Sequence, residues 1–198
     1  FTTSTLQQSA STNLKISPRV VMSTAQKLYE AGLITYMRTD GIEMAPEGIS
    51  SARNQISDLL GDTYLPEKPR VFKNKAKNAQ EAHECIRPTD FSKAPENVKN
   101  LNKSELDLYG LIWKRALASQ ARAAEVLQTT VLISSSCNSA QFRLSGQVVT
   151  FEGHLKIFQD SKKEDDEKRI PDIREKSKMK LEQIKKEQHF TEPPPRFN

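Results

Sequence analysis

The stretch Ser17–Gly41, "SPRVVMSTAQKLYEAGLITYMRTDG", passes from helical punctuation to an alternating polar pattern, and the rest of the chain can be read outward from it. Ser17 suits an N-cap, Pro18 suits the first helical position, and Gly32 stands just past the end, so the spacing predicts a helix between them. Val21, Ala25, Leu28 and Tyr29 fall on one face of that helix. Gly32 then releases the chain into "LITYM", β-branched and aromatic enough to predict a short strand. In an extended chain successive side chains alternate, so Tyr36, Arg38 and Asp40 project to one face and Met37 and Thr39 to the other.

Two more helices follow from the same signals. Ile49, Ala52, Ile56 and Leu59 share a face between Pro46 and Leu60, and Gly61 ends the pattern. Asn102 with Glu105 forms a capping box, opening a helix through Leu106, Tyr109, Trp113, Ala116 and Leu117. After about Glu125 the texture changes: "VLQTTVLISSS", "AQFRLSG" and "QVVTFEGHLKIF" are β-rich runs separated by Ser, Asn and Gly. The expected architecture is therefore α+β, with a mainly helical domain over 1–124, a β-rich, barrel-like segment over 125–190 and the start of a linker or further domain over 191–198. "QDSKKEDDEKR", 159–169, mixes charges without apolar partners and is expected to be a mobile loop. Residues 176–188 have helical propensity, but a barrel would require a strand there, and a strand is the expectation. No internal repeat is present.

Composition narrows the partners. The formal charge of +5 and pI of about 9.1 suit a phosphate-rich partner, although 25 acidic residues dilute the 30 basic ones. The cations cluster in "KPRVFKNKAK", where Lys68, Arg70, Lys73, Lys75 and Lys77 stand without an acid; the stretch can track a nucleic-acid backbone or be a plain solvated loop. Cys85 and Cys137 lie far apart, which indicates neither a disulfide framework nor a zinc site and fits a reducing cytoplasm. No apolar run approaches the length of a membrane span, and "FTTSTLQQSAS" lacks the basic and apolar regions of a signal peptide. Beginning on Phe1 and ending on the proline segment "EPPPRFN", the chain is expected to be cut from something longer.

Two constellations can carry chemistry. Tyr36 can attack phosphorus, but its phenol titrates near pH ~10 and needs help at neutrality. Arg38, two residues on, can hold a phosphate through paired N–H bonds and stabilise charge on its oxygens; Asp40 can orient Arg38 or relay a proton. The alternative is an exposed strand face with one ion pair. In "QEAHECIRPT", Glu81, His83, Glu84 and Arg87 crowd into about one turn before Pro88. His83 beside Arg87 can be a second phosphate ligand or proton carrier, or simply a surface histidine flanked by acids. The group lacks the helical pairing of a metal site.

These motifs carry a resemblance. "LYEAGLITYMRTDG" followed by "AHECIRPTD" resembles the bacterial type IA DNA topoisomerases, and "FTTSTLQQSAS", "LYGLIWKRALASQ" and "QHFTEPPPRF" resemble the same family in the same order, so the likeness extends over nearly the whole chain. It implies that Tyr36 is the nucleophile that becomes joined to the 5′ phosphate at a single-strand break, that Arg38 contacts the scissile phosphate, and that His83 assists DNA binding near the cut; Asp40 and Arg87, beside these residues in the two motifs, are expected to contact DNA as well. It also implies a toroidal enzyme whose helical, tyrosine-bearing domain lifts on a β-rich arch, relaxing negatively supercoiled DNA in the bacterial cytoplasm at the nucleoid. The expected partners are single-stranded DNA at the cleavage site and the remaining domains of the same polypeptide, with no membrane. Magnesium is implied for the full-length enzyme, bound by an acid-rich domain without counterpart in this chain; no metal site is expected within these residues. Two positions depart from the family pattern, Gly41 where serine is usual and Cys85 where alanine is usual.

Two other readings compete. A tyrosine recombinase or type IB topoisomerase also forms a phosphotyrosine, but needs several arginines and a histidine ahead of a late tyrosine, whereas Tyr36 comes early. A non-catalytic nucleic-acid-binding module would use the helices and basic stretch and leave Tyr36 incidental.

Overall fold

The computed structural model describes residues 1–73, 84–135, 140–158, 176–180, 182–183, 185–191 and 193. Four helices come first. α1, Thr3–Leu14, is not signalled by the apolar pattern: it is mostly Ser, Thr and Gln and buries only Leu6 and Ala10, one turn apart. Its start is nonetheless well capped, because Thr2 and Thr5 exchange backbone N–H bonds with each other's hydroxyls.

The three predicted helices form at the predicted places. α2, Pro18–Glu30, is capped by Ser17 and buries Val21, Thr24, Ala25 and Leu28. Tyr29, expected on that inner face, is 41% exposed. α3, Pro46–Leu60, buries Gly48, Ile49, Ala52 and Ile56, while Leu59 at its last turn is half exposed rather than inward. α4, Lys103–Gln120, opens on the Asn102–Glu105 capping box and is the central element, packed against the other three helices. Two of its large side chains bury a polar tip with a partner: Tyr109 Oη donates to Lys93 O (2.7 Å) and Trp113 Nε1 to Phe91 O (3.0 Å). Burial pushes the Tyr109 phenol up to about 12.

The chain then leaves the helices for β1, Glu125–Ser134, and β2, Gln141–Phe151, which pair antiparallel with Leu127 opposite Val148 and Ile133 opposite Phe142. Among the described residues these two strands are the whole sheet, and no barrel is formed. The described residues of 176–188 are exposed and belong to neither helix nor strand, contrary to the expected strand, since no neighbouring strand edge among the described residues is there to complete their backbone hydrogen bonds. The loop expected at 159–169 lies outside the described residues.

The ribbon is fastened to the helices at one joint. Arg122 N donates to Tyr64 O (2.7 Å), His154 N to Arg122 O (2.9 Å) and Ala124 N to His154 Nδ1 (3.3 Å), while Phe151 lies between the Tyr64 ring and the Arg122 guanidinium. Gly153 is required there: its φ is +49°, and a Cβ would meet Arg122 O at 2.5 Å.

The joint carries a pH dependence. Burial, and after it Arg70 and Arg115, hold the His154 imidazole below its ordinary 6.5. The folded state therefore binds this proton less readily than the unfolded chain, so the histidine's contribution is complete above about pH 6.5 and is lost as pH falls from there to the depressed value. We expect urea-derived stability to fall between pH 7 and pH 5, and the fall to be smaller in His154→Gln. A second prediction concerns Gly48, where an added Cβ would lie 2.7 Å from Arg87 Nε and 2.8 Å from its Cζ. Gly48→Ala should lower unfolding stability by about 1–3 kcal/mol, read by urea denaturation, because that guanidinium is buried and cannot swing aside.

Candidate active site on the extended segment after α2

The turn out of α2 is tightly determined. Ala31 N donates to Lys27 O, Gly32 N to Tyr29 O (2.8 Å) and Leu33 N to Leu28 O (2.9 Å), with Gly32 in the left-handed region at φ +69°. From Leu33 the chain runs on with bends at Thr35, Met37 and Arg38, and it is not the strand that "LITYM" predicts. It makes a single bridge, Ile34 to Pro88, and the ladder stops there because Arg87 N bonds the Thr35 hydroxyl instead of the Thr35 carbonyl.

Its backbone is satisfied instead by two unrelated parts of the chain. On one side, Thr35 N donates to Arg87 O (2.9 Å) and Thr89 N to Leu33 O (3.0 Å), while the Thr35 hydroxyl donates to Cys85 O (2.8 Å) and accepts from Arg87 N (3.0 Å). On the other, Thr3 at the start of α1 donates through its hydroxyl to Met37 O (2.7 Å), accepts from Thr39 N (2.9 Å), and donates its own N–H to Thr39 O (2.9 Å). Ile34, Met37 and Thr39 are buried beneath; Tyr36, Arg38 and Asp40 stand exposed above them. The alternation read from the sequence thus holds from Tyr36 to Asp40 without a strand, whereas Ile34, two residues before Tyr36, is buried. Arg38 and Asp40 form no ion pair among the described residues, so the guanidinium is not spent on its neighbour. The Tyr36 ring, 42% exposed, meets the Tyr29 ring edge to face, centroids 5.3 Å apart at 67°.

Arg87 differs from its sequence-derived role as a DNA contact. Its side chain is 7% exposed, and it binds Glu84 through two parallel bonds, Nε to Oε2 (2.9 Å) and Nη2 to Oε1 (3.0 Å), with Nη1 on Pro88 O (2.9 Å). Glu84 Oε2 also accepts from Ala45 N (3.2 Å), the N-cap position of α3 that has no side-chain cap of its own. A carboxylate placed there satisfies an orphan donor and opposes the positive end of the helix. The pair therefore joins the segment 84–88 to α3, and Gly48 leaves room for the guanidinium against the first turn. Nor do 84–88 form a helical turn.

Other expected residues fall as follows. His83 and Glu81 lie outside the described residues, as do Lys75, Lys77 and Cys137. Lys68, Arg70 and Lys73 are exposed, and the fully buried Gln120 amide holds the Arg70 backbone from both sides, donating to its carbonyl (2.9 Å) and accepting from its N–H (3.2 Å). Cys85 is buried, and burial raises its thiol pKa. Among the described residues no group of three or more His, Cys, Asp or Glu side chains converges, so the donors for a divalent cation are not assembled beside Tyr36. Sequence reading missed Thr3 and Thr35, and it named Glu84 and Tyr29 without the contacts they make with Ala45 and Tyr36. The threonines carry no local signal, because each acts on backbone more than thirty residues away.

This arrangement has counterparts. A family model described as DNA topoisomerase matches residues 1–198. The whole chain is 44% identical over 206 residues to DNA topoisomerase 1 of Zymomonas mobilis, 44% over 207 residues to DNA topoisomerase 1 of Helicobacter pylori and 41% over 212 residues to that of Rickettsia felis. It spans 17% of the first relative and 27% of the other two. The structure of full-length topoisomerase I from Thermotoga maritima superposes on 81% of the chain with a TM-score of 0.70 at 33% identity, the match covering 27% of that protein. With a family match from its first residue to its last, supported by both sequence and fold, the chain belongs to the DNA topoisomerase family.

Proposed function

We propose that these residues are the tyrosine-bearing portion of a type IA DNA topoisomerase, which cuts and reseals one DNA strand to relax negative supercoils. The observation that carries the proposal is the exposed face of Tyr36, Arg38 and Asp40 on a segment whose backbone is held from both sides. A nucleophile on such a support loses little orientation freedom when a phosphate arrives.

In the proposed step the Tyr36 phenol gives up its proton as its oxygen attacks phosphorus. A tyrosyl O–P bond forms to the 5′ phosphate, the P–O3′ bond breaks, and the departing 3′ oxygen takes up a proton to become a hydroxyl. Arg38 offers a planar fork to the non-bridging oxygens and stabilises the charge that builds there. Asp40 orients Arg38 or carries a proton, and His83 assists DNA binding at the cut. Arg87, bound to Glu84 against α3, is proposed to hold the segment 84–88 in place rather than to touch DNA. One phosphate ester replaces another, so resealing runs by the reverse attack of the 3′ hydroxyl and needs no nucleotide. Magnesium, which supports cleavage and religation in the full-length enzyme, would be held by acidic residues outside this chain.

The domain edge is proposed at the joint between α4 and β1, with 1–124 carrying the tyrosine, 125–190 contributing to the arch and 191–198 leading onward. DNA, single-stranded at the cut, is the partner, together with the remaining domains of the polypeptide. The bacterial cytoplasm, at the nucleoid, is the proposed location; among the described residues no helix is long and apolar enough to cross a membrane.

In the full-length polypeptide, Tyr36→Phe should abolish the covalent adduct with a single-stranded oligonucleotide while gel-shift binding persists. A variant that still cleaves would return Tyr36 to the incidental role it has in a binding module, and a 3′ rather than 5′ phosphotyrosyl link would favour the recombinase or type IB reading. Arg38→Ala should slow cleavage by about 10²- to 10³-fold. Residues 1–198 alone should not relax supercoiled plasmid, as read on an agarose gel.

A further inference from the structure

Tyr29 is the feature that neither packing nor the proposed chemistry absorbs. Its place on the helical wheel predicts burial with Val21, Ala25 and Leu28, yet its ring stands 41% exposed beside a Tyr36 ring that is 42% exposed. Exposed aromatic side chains at the end of a helix ordinarily sample several rotamers. This one is edge to face with Tyr36, centroids 5.3 Å apart and planes at 67°, within the range in which ring quadrupoles attract. The backbone beneath them allows little slack. Tyr29 O accepts from Gly32 N, Leu28 O accepts from Leu33 N, and the chain beyond Leu33 is tied down by Thr35 and Thr3. The two Cα positions are thus fixed relative to one another, and what remains adjustable at Tyr36 is its side-chain torsion.

We propose that Tyr29 is a positioning residue for Tyr36: its ring braces the Tyr36 ring and keeps the phenol oxygen directed outward, where a phosphate can reach it. This rests on Tyr36 being the nucleophile. The phenol of Tyr29 plays no part; its aromatic ring does. Reaction rate is then affected through orientation, with the affinity for DNA unchanged.

The test uses the full-length polypeptide carrying Tyr29→Ala, Tyr29→Phe or Tyr36→Phe, with a labelled single-stranded oligonucleotide, single-turnover adduct formation, equilibrium binding and thermal melting. Loss of one edge-to-face contact predicts that Tyr29→Ala forms the adduct about 2- to 10-fold more slowly, with Kd and Tm close to those of the parent, and that Tyr29→Phe restores the parent rate. Adduct formation by Tyr29→Ala at the parent rate would overturn the proposal. So would failure of Tyr29→Phe to restore it, which would give the role to the hydroxyl, or a weakened Kd at unchanged rate, which would make Tyr29 a DNA contact. Tyr36→Phe separates this from the broader reading: if it still forms an adduct, the nucleophile has been misassigned, whatever the Tyr29 variants do.

Discussion

A segment outside helix and sheet must find partners for its backbone N–H and C=O groups elsewhere, and Leu33–Thr39 finds them on both sides. Thr3 holds Met37 and Thr39; residues 85–89 hold Leu33 and Thr35. Much else follows from this double attachment. It brings the start of α1 and the segment before Phe91 to the end of α2, it buries Ile34 and Met37 in the helical core, and it leaves Tyr36, Arg38 and Asp40 on an open face. The chemistry proposed for Tyr36 requires that rigidity, because a nucleophile on a loose loop would lose much of the orientation that makes a bound phosphate reactive.

The Glu84–Arg87 pair extends the same frame to α3. One carboxylate accepts both guanidinium bonds and the Ala45 N–H, so a helix that begins without a side-chain cap is capped by a residue distant in sequence. Arginine close to a tyrosine motif invites a reading as a phosphate ligand, and for Arg38, exposed and without an ion pair among the described residues, that reading stands as a proposal. For Arg87 the buried environment supports a different proposal, a structural one: a charge withdrawn from water needs a close opposite charge, and Glu84 supplies it.

The ribbon of β1 and β2 follows different physics. It is largely exposed on both faces, with Leu127, Leu132 and Phe142 more than half open, and two strands of this kind bury too little to stand alone. Its base is the ordered part, where Gly153, His154, Phe151 and Arg122 interlock with Tyr64. The chain spans 17% of one relative and 27% of another.

Local chemistry was enough to determine the helices that begin at Pro18, Pro46 and Lys103, because caps, prolines and a 3.6-residue apolar period act over a few neighbouring residues. It also determined that Tyr36, Arg38 and Asp40 share a face, since their burial alternates with that of Met37 and Thr39 without any sheet. α1 was hidden because its two buried residues make too faint a stripe among hydroxyls. The fates of Arg38 and Arg87 could not be told apart along the chain, nor could Tyr29 be taken off the buried face of its helix. Those were decided by tertiary structure alone, because exposure, ion pairing and ring contact depend on which distant residues arrive alongside.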